Sequence, residues 1–353
     1  MKKRLAAGLI VAMILAWGGA GCGKSDSQKE TKAPETKKET QEQKQEEQPT
    51  KAAETKEAKG EEASGETGKK LKIGLTLSFY NDPYFIDMRN VVKDWCDENG
   101  YEFLEFDGAS DAAKQAAGIE NMMEAGIDGL ILAPVDSAAV VPQVQKCNEA
   151  GIPVITVDCN ADGGEIVSFI ESDNRSAGIL CAEYLGERLE GKGNICITNA
   201  PNSSAARDRD EGFREVLAEK YPDIKILDTQ KSGDMPTGMN IGENWASQYA
   251  DLDAVFCIDD NSALGVQAAF EAAGRTDIFT VSVDGSEQPV KDILDGRLVA
   301  ATAAQQPKQI GALACEALLD HISGKEVEEH IQIPVILVTK DNAQDYLDGK
   351  LTQ

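Results

Sequence analysis

Gly129–Asp158, GLILAPVDSAAVVPQVQKCNEAGIPVITVD, is the stretch on which the fold turns. Gly129 to Ala133 and Pro153 to Val157 are short runs dominated by Val, Ile and Leu, the pattern of buried strands. Between them, Ala138 to Ala150 reads as an amphipathic helix, with Asp136 or Ser137 placed to cap its start and Ala150-Gly151 to stop it. A strand, a helix and a strand in about thirty residues make a crossover unit, which joins parallel strands and covers one face of a sheet.

The alternation continues in both directions. Upstream, strand Leu71 to Leu77, helix Pro83 to Glu98, strand Glu102 to Phe106 and helix Ala112 to Ala125 lead into it, with Asn99-Gly100 as a helix stop. After an extended piece near Ile166 to Ile170, a second series runs through helices at Arg175 to Glu190, Arg207 to Lys220, Gly238 to Tyr249 and Ser262 to Ala273. Strands at Asn194 to Thr198, Lys225 to Thr229, Ala254 to Ile258 and Phe279 to Val283 alternate with them. A strand at Leu298 to Ala303, a helix at Gln309 to Ile322 and a strand near Ile331 to Leu337 complete the pattern. The fold class is α/β, with two similar lobes, each a parallel sheet flanked by helices. No tandem sequence repeat relates them.

The N-terminal segment differs in kind. Lys2, Lys3 and Arg4 precede an uncharged apolar run from Leu5 to Trp17 and the small residues Gly18 to Gly21, which is the plan of a secretory signal peptide. The run is shorter than the roughly 20 residues needed to span a bilayer. Gly19-Ala20-Gly21-Cys22 resembles a bacterial lipoprotein signal, which implies lipidation of Cys22 and a membrane anchor on the outer side of the cell membrane. Residues 23–70 contain no aromatic residue and no Val, Ile or Leu, so they cannot bury enough apolar surface to offset the entropy of ordering, and they read as a solvated tether.

The total charge of −26, less +3 for Lys2, Lys3 and Arg4 and −1 for the tether, leaves −28 on residues 71–353. Such a surface repels nucleic-acid phosphates and anionic lipid, which excludes a nucleic-acid partner. Of the eight cysteines, Cys96, Cys147, Cys159, Cys181, Cys196, Cys257 and Cys315 fall in the folded region. They are odd in number and include no CxxC pair, so they read as free buried thiols. His321 and His330 are the only histidines, and no metal site or cofactor is expected.

In open parallel α/β sheets, ligands bind beyond the carboxyl ends of the strands. The residues there are Asn81, Asp82, Tyr84 and Phe85, then Asp107, Asp158, Asp259, Asp260 and Asp284. Carboxylates accept hydrogen bonds, which suits a ligand rich in hydroxyl or amine donors, and an aromatic ring can cover an apolar sugar face. An Asp at a helix start also serves as an ordinary cap, the role expected of Asp107, Asp136 and Asp260. Asp158 and Asp284, in ITVDCN and VSVDGS, look more specific.

These residues fall in a series of recognisable stretches. They are FYNDPYF (Phe79 to Phe85), IPVITVD (Ile152 to Asp158), SDN (Ser172 to Asn174) and SAARDRDEGF (Ser204 to Phe213), followed by NSALGV (Asn261 to Val266), VDGS (Val283 to Ser286), ATAAQQPKQIG (Ala301 to Gly311) and IPVILVTKDN (Ile333 to Asn342). Taken in order, they resemble the type I periplasmic sugar-binding proteins, the ribose-binding and glucose/galactose-binding relatives. The resemblance implies two lobes, residues 71–172 plus 306–332 and residues 173–305 plus 333–353, joined by a three-segment hinge near Ser172 to Asp173, Gln305 to Gln306 and Ile331 to Val335. It implies a monomer that binds a monosaccharide or related polyol and partners an ATP-binding-cassette permease. The ligand contacts it implies are Asp82, Tyr84, Phe85, Asp158, Arg209, Asp284 and Gln305, with Asp259 standing where Asn is usual. Cys159 stands where the ribose binder has Arg, and Gly233 lies near the place of an aromatic lid.

Three rival readings are weaker. No GxSxG, HExxH or complete P-loop marks an enzyme, since GERLEGKG (Gly186 to Gly193) lacks the Ser or Thr. The lac repressor family shares the fold but carries a helix-turn-helix where this chain has its signal and tether. A sugar-sensing role, with output to a chemoreceptor or sensor kinase, keeps the same site.

Overall fold

A computed structural model describes residues 70–351; the signal segment with Cys22, and the tether up to residue 69, lie outside the described residues. In chain order the first elements are β1 (Lys72–Leu77), α1 (Pro83–Asn99), β2 (Glu102–Asp107), α2 (Ala112–Glu124), β3 (Gly129–Leu132), α3 (Val141–Glu149), β4 (Val154–Val157) and β5 (Ser168–Ser172). Next come α4 (Asn174–Arg188), β6 (Lys192–Asn199), α5 (Ser204–Lys220), β7 (Asp223–Lys231), α6 (Met235–Gln248), β8 (Ala254–Phe256), α7 (Asp260–Ala272) and β9 (Phe279–Asp284). The series ends with α8 (Glu287–Asp295), β10 (Val299–Ala304), α9 (Pro307–Ile322), β11 (His330–Ile333), β12 (Ile336–Thr339) and α10 (Ala343–Leu347).

Two six-stranded sheets result, ordered β11-β5-β4-β3-β1-β2 and β12-β10-β9-β8-β6-β7. Every pairing is parallel except that of β10 with β12. This is the type I periplasmic binding protein fold with two lobes. The chain passes between the sheets three times: from β5 to α4, from β10 to α9, and from β11 to β12. The strand expected from Ile331 to Leu337 is in fact two, because Pro334 interrupts it, and each half joins a different sheet. Proline has no N–H for the ladder, so the break falls where the chain must leave one sheet.

The strands at the centre of each sheet are buried on both faces, as parallel sheets require. In the first lobe Ile73, Leu75, Leu77, Ile131 and Ile155 pack with Met88 and Val92 of α1 and Ile310, Ala314 and Leu318 of α9. Leu130, Leu132 and Val154 face Ile119 and Met122 of α2 and Val144 of α3 on the other side. The second lobe repeats this, with Ile195, Ile197, Phe256 and Val281 against Leu185 of α4 and Phe213 of α5, whose ring stacks on Phe256 at 4.1 Å. The seven cysteines from Cys96 to Cys315 are free and buried. Among the described residues no helix is long and apolar enough to cross a membrane.

All three helix caps expected of Asp107, Asp136 and Asp260 are corrected. Helix α3 begins only at Val141 behind Val140, which makes no side-chain cap, and Asp136 accepts from Ala138 N and Ala139 N, at 3.1 and 2.8 Å, in the turn ahead of it. Asp107 accepts from Ala109 N at 2.8 Å in the loop after β2, while the cap of α2 is Asp111, which accepts from Ala113 N and Lys114 N. Asp260 does not cap α7; Asp259 does, accepting from Ser262 N at 2.6 Å. With the cap one residue earlier, the Asp260 side chain turns inward and accepts from Ser282 Oγ, Thr302 Oγ1 and Ser286 N.

Candidate functional site

The carboxyl ends of both sheets border one cavity of about 540 Å³. All eight residues singled out from sequence line it: Asp82, Tyr84, Phe85 and Asp158 from the first lobe, and Arg209, Asp259, Asp284 and Gln305 from the second. Cys159 and Gly233 line it as well. Asn81 is exposed and does not.

The first-lobe wall is built locally. Asp82 caps α1, accepting from Tyr84 N at 2.8 Å, and Pro83 fits the first helical turn because its missing N–H would have no partner there. That start turns Tyr84 and Phe85 inward. Tyr84 OH donates to Asp158 Oδ1 at 2.9 Å, so the ring serves chiefly to fix that carboxylate. Phe85 meets Phe79 and Tyr84 edge to face, with ring centroids 5.3 and 5.1 Å away. Asp158 holds a left-handed backbone, φ 64°, a conformation that Asp tolerates better than most residues.

The second-lobe wall is held from further away. Arg209 is buried on α5; its Nε donates to Asn174 Oδ1 at 2.8 Å, its Nη1 to Ile258 O at 3.1 Å, and Nη1 lies 3.7 Å from Asp284 Oδ1. Asn174 in turn donates to Glu171 Oε2 at 2.9 Å, and Glu171 Oε1 lies 2.9 Å from His330 Nε2. The guanidinium is thereby tied to the first and third crossings between the lobes. Helices α4 and α5 touch backbone to backbone: a Cβ on Gly178 would sit 2.0 Å from Arg209 O. Asp284 has φ 134°, a region almost reserved for glycine, and Gly285 follows at 75°. Asp260 N and Gln305 Nε2 hold its carboxylate, at 3.1 and 2.7 Å, and so fix the strained residue facing the cavity.

The lobes meet around this cavity. Asn261 Nδ2 donates to Asp82 Oδ2 at 2.8 Å, and Asn160 N to Ser204 Oγ at 2.8 Å. Ser137 N donates to Asn202 O at 3.0 Å, and Arg207 pairs with Asp162 at 2.7 Å.

Burial is the largest influence on Asp82, Asp158, Asp259, Asp260 and Asp284. It raises Asp82 to about 6 against the bond from Tyr84 N, with the charges of Asp259 and Asp158 adding to the rise. It likewise raises Asp158 and Asp259, and raises Asp284 well above the carboxylate range, in each case with Arg209 opposing. Asp260 is pushed up to about 7 by burial. Burial works against the Arg209 charge, but Asp284 and Asp158 more than restore it, so the guanidinium stays protonated. A fixed cation among carboxyls that are costly to ionise suits a ligand bringing many hydrogen-bond donors.

A family model described as periplasmic binding protein domain matches residues 73–326. The chain belongs to this family. The ribose import binding protein of Escherichia coli is 35% identical over 271 residues, 76% of this chain and 90% of its own length. The ribose import binding protein of Bacillus subtilis is 32% identical over 275 residues, 77% of this chain and 88% of its own. Among solved structures, a solute binding protein from Bacillus halodurans with bound myo-inositol has a TM-score of 0.75 at 28% identity, covering 82% of this chain and 100% of that one. The binding component of an arabinose transporter from Shewanella, bound to L-arabinofuranose, has a TM-score of 0.73 at 26% identity, covering 79% and 95%.

For this periplasmic binding protein, sequence reasoning passed over three parts of the site. Phe79 shares the aromatic wall, Asn174 orients Arg209, and Asn261 links the lobes through Asp82. Phe79, Asn174 and Asn261 all lie in the quoted family stretches, so the signal was present, but their partners are distant in sequence. Asn261 and Asp82, for example, are 179 residues apart.

Proposed function

We propose that the chain is an exported solute-binding protein, anchored by a lipid on Cys22, that captures a monosaccharide or related polyol between its lobes and delivers it to an ATP-binding-cassette importer. The observation that carries this reading is a cavity of about 540 Å³ to which both lobes contribute carboxylates, the first lobe aromatic rings and the second a buried guanidinium. That volume falls within the range of small-molecule sites, roughly 300 to 1,000 Å³. Carboxylates and Gln305 accept from hydroxyls, Arg209 donates to their oxygens, and Phe79 and Phe85 offer apolar contact to C–H faces. The relatives named for ribose, myo-inositol and arabinofuranose support this ligand class.

Capture follows from the three crossings. Rotation about them separates the walls, and a ligand that bonds to both lobes shifts the population toward the closed form, whose surface a permease recognises. The carboxylates serve as acceptors, and no reaction is assigned to them. A thermal-shift screen of the purified protein against monosaccharides, polyols and amino sugars tests the reading. We expect a concentration-dependent rise in melting temperature with at least one of them; no rise across the screen contradicts it.

A further inference from the structure

The charge in the cavity is out of balance. Six aspartates line it, Asp82, Asp136, Asp158, Asp234, Asp259 and Asp284, against Arg209 and Lys231. Lys231 and Asp234 are both exposed and belong to the rim, which leaves five aspartates against Arg209, whose Nε and Nη1 are already committed to Asn174 and Ile258. Tyr84 OH is likewise engaged, with Asp158. The cavity therefore offers many acceptors and few donors.

A second observation points the same way. Gln305 is buried and lines the cavity; its Nε2 is fixed on Asp284 Oδ1, which leaves Oε1 a buried acceptor without a partner. An unmet buried acceptor is costly unless a ligand supplies a donor. The departures seen in sequence add to the trend. Cys159 is a neutral thiol, and Asp259 is a carboxylate that bears on Asp82 from the opposite lobe by like-charge repulsion.

A neutral polyol answers only part of this. Each hydroxyl donates once and also brings lone pairs that need donors, whereas a protonated amine donates three times, accepts nothing and carries the missing charge. In an enclosed site, hydrogen bonds between charged partners are roughly twice as strong as neutral ones. We propose that the ligand is an amine-bearing sugar or cyclitol whose ammonium group is held between Asp82 of one lobe and Asp259 of the other. This deepens the function proposed above and depends on it. The ammonium group takes the place of the repulsion between the two carboxylates and so favours the closed lobes.

The test is calorimetric titration of the purified protein with matched pairs at pH 7: D-glucosamine and D-glucose, D-galactosamine and D-galactose, D-mannosamine and D-mannose, scyllo-inosamine and scyllo-inositol. We expect the amine member of at least one pair to bind tenfold or more tightly than its hydroxyl counterpart. In Asp259→Asn that ratio should shrink at least tenfold; Asn caps a helix as well as Asp, so the variant should fold, which its melting curve checks. If neutral members bind and none is bettered tenfold by its amine, the amine preference is overturned while sugar capture stands. An unchanged ratio in Asp259→Asn also overturns it. Binding by no member of any pair also overturns the amine preference, while sugar capture is judged separately by the thermal-shift screen.

Discussion

The two lobes share one strand order but hold their parts of the cavity by different means. In the first, Asp82 is fixed by the helix it caps, and Asp158 by Tyr84 two residues after that cap. In the second, Arg209 depends on Asn174, Glu171 and the packing of α4 on α5, and Asp284 depends on Asp260 and Gln305. The helix pairs differ in the same sense. A Cβ on Gly178 would lie 2.0 Å from Arg209 O, whereas in the first lobe a Cβ on Gly311 of α9 would lie 3.1 Å from Met88 O of α1. Local capping tolerates change elsewhere in its lobe, while a site held through packed backbones transmits change from positions that never touch ligand.

The largest effect should come from the second lobe's cation. Arg209→Ala removes the one buried guanidinium of the cavity and leaves Asp284 without it; we expect on the order of 2 to 3 kcal/mol lost in binding, roughly 30- to 150-fold in Kd by calorimetry. Next, Gly178→Ala should cost about 1 to 3 kcal/mol in stability and weaken binding as well, because α5 must move and Arg209 moves with it. Gly311→Ala should cost less and spare affinity. Equal effects of the two alanines on Kd would remove the contrast between the lobes.

pH dependence sharpens the comparison on the first-lobe side. Below the ordinary value of 3.8, Asp82 is protonated in the folded and unfolded chain alike. Between that value and about 6 the unfolded chain has lost the proton and the folded chain keeps it, so this carboxyl's contribution to stability falls as pH rises, and the loss is complete above the folded value. Asp82→Asn lacks this term. The unliganded variant should therefore gain on the parent by on the order of 1 to 3 kcal/mol between pH 4 and pH 7, read as a difference in melting temperature. A difference that is flat, or that grows toward acid, contradicts the burial of this charge.

Much of the fold was legible because parallel strands covered on both faces leave uninterrupted apolar runs, as in Leu130 to Leu132 and Val154 to Val157. What was not legible has particular causes. Helix α8 escaped notice because Pro289 lies in its first turn, where proline is tolerated but reads as a breaker. The Pro334 break was read through as one strand because apolar residues flank it on both sides. At the site, residues after strand ends were readable, since topology brings those ends together. The choice between adjacent acids was not: Asp259 and Asp260 exchange roles on a one-residue shift of the helix start. Backbone strain at Asp284 and the bond from Asn261 to Asp82 are tertiary consequences with no local pattern.

The smallest effect expected is that of Asp107→Ala. It removes one bond in the loop after β2, to Ala109 N, outside the cavity, and should lower stability by about 0.5 to 1 kcal/mol while leaving Kd unchanged. A loss of affinity there would extend the site beyond the cavity described.

The central claim is that both lobes hold the ligand at once. Calorimetric titration of Asp82→Ala and Asp284→Ala, one from each lobe, with the ligand found by the screen tests it most directly. The account predicts that each variant melts cooperatively and that each loses tenfold or more in affinity, about 1.4 kcal/mol. Parent-like affinity in either variant would contradict it, because the ligand would then be held by one lobe alone.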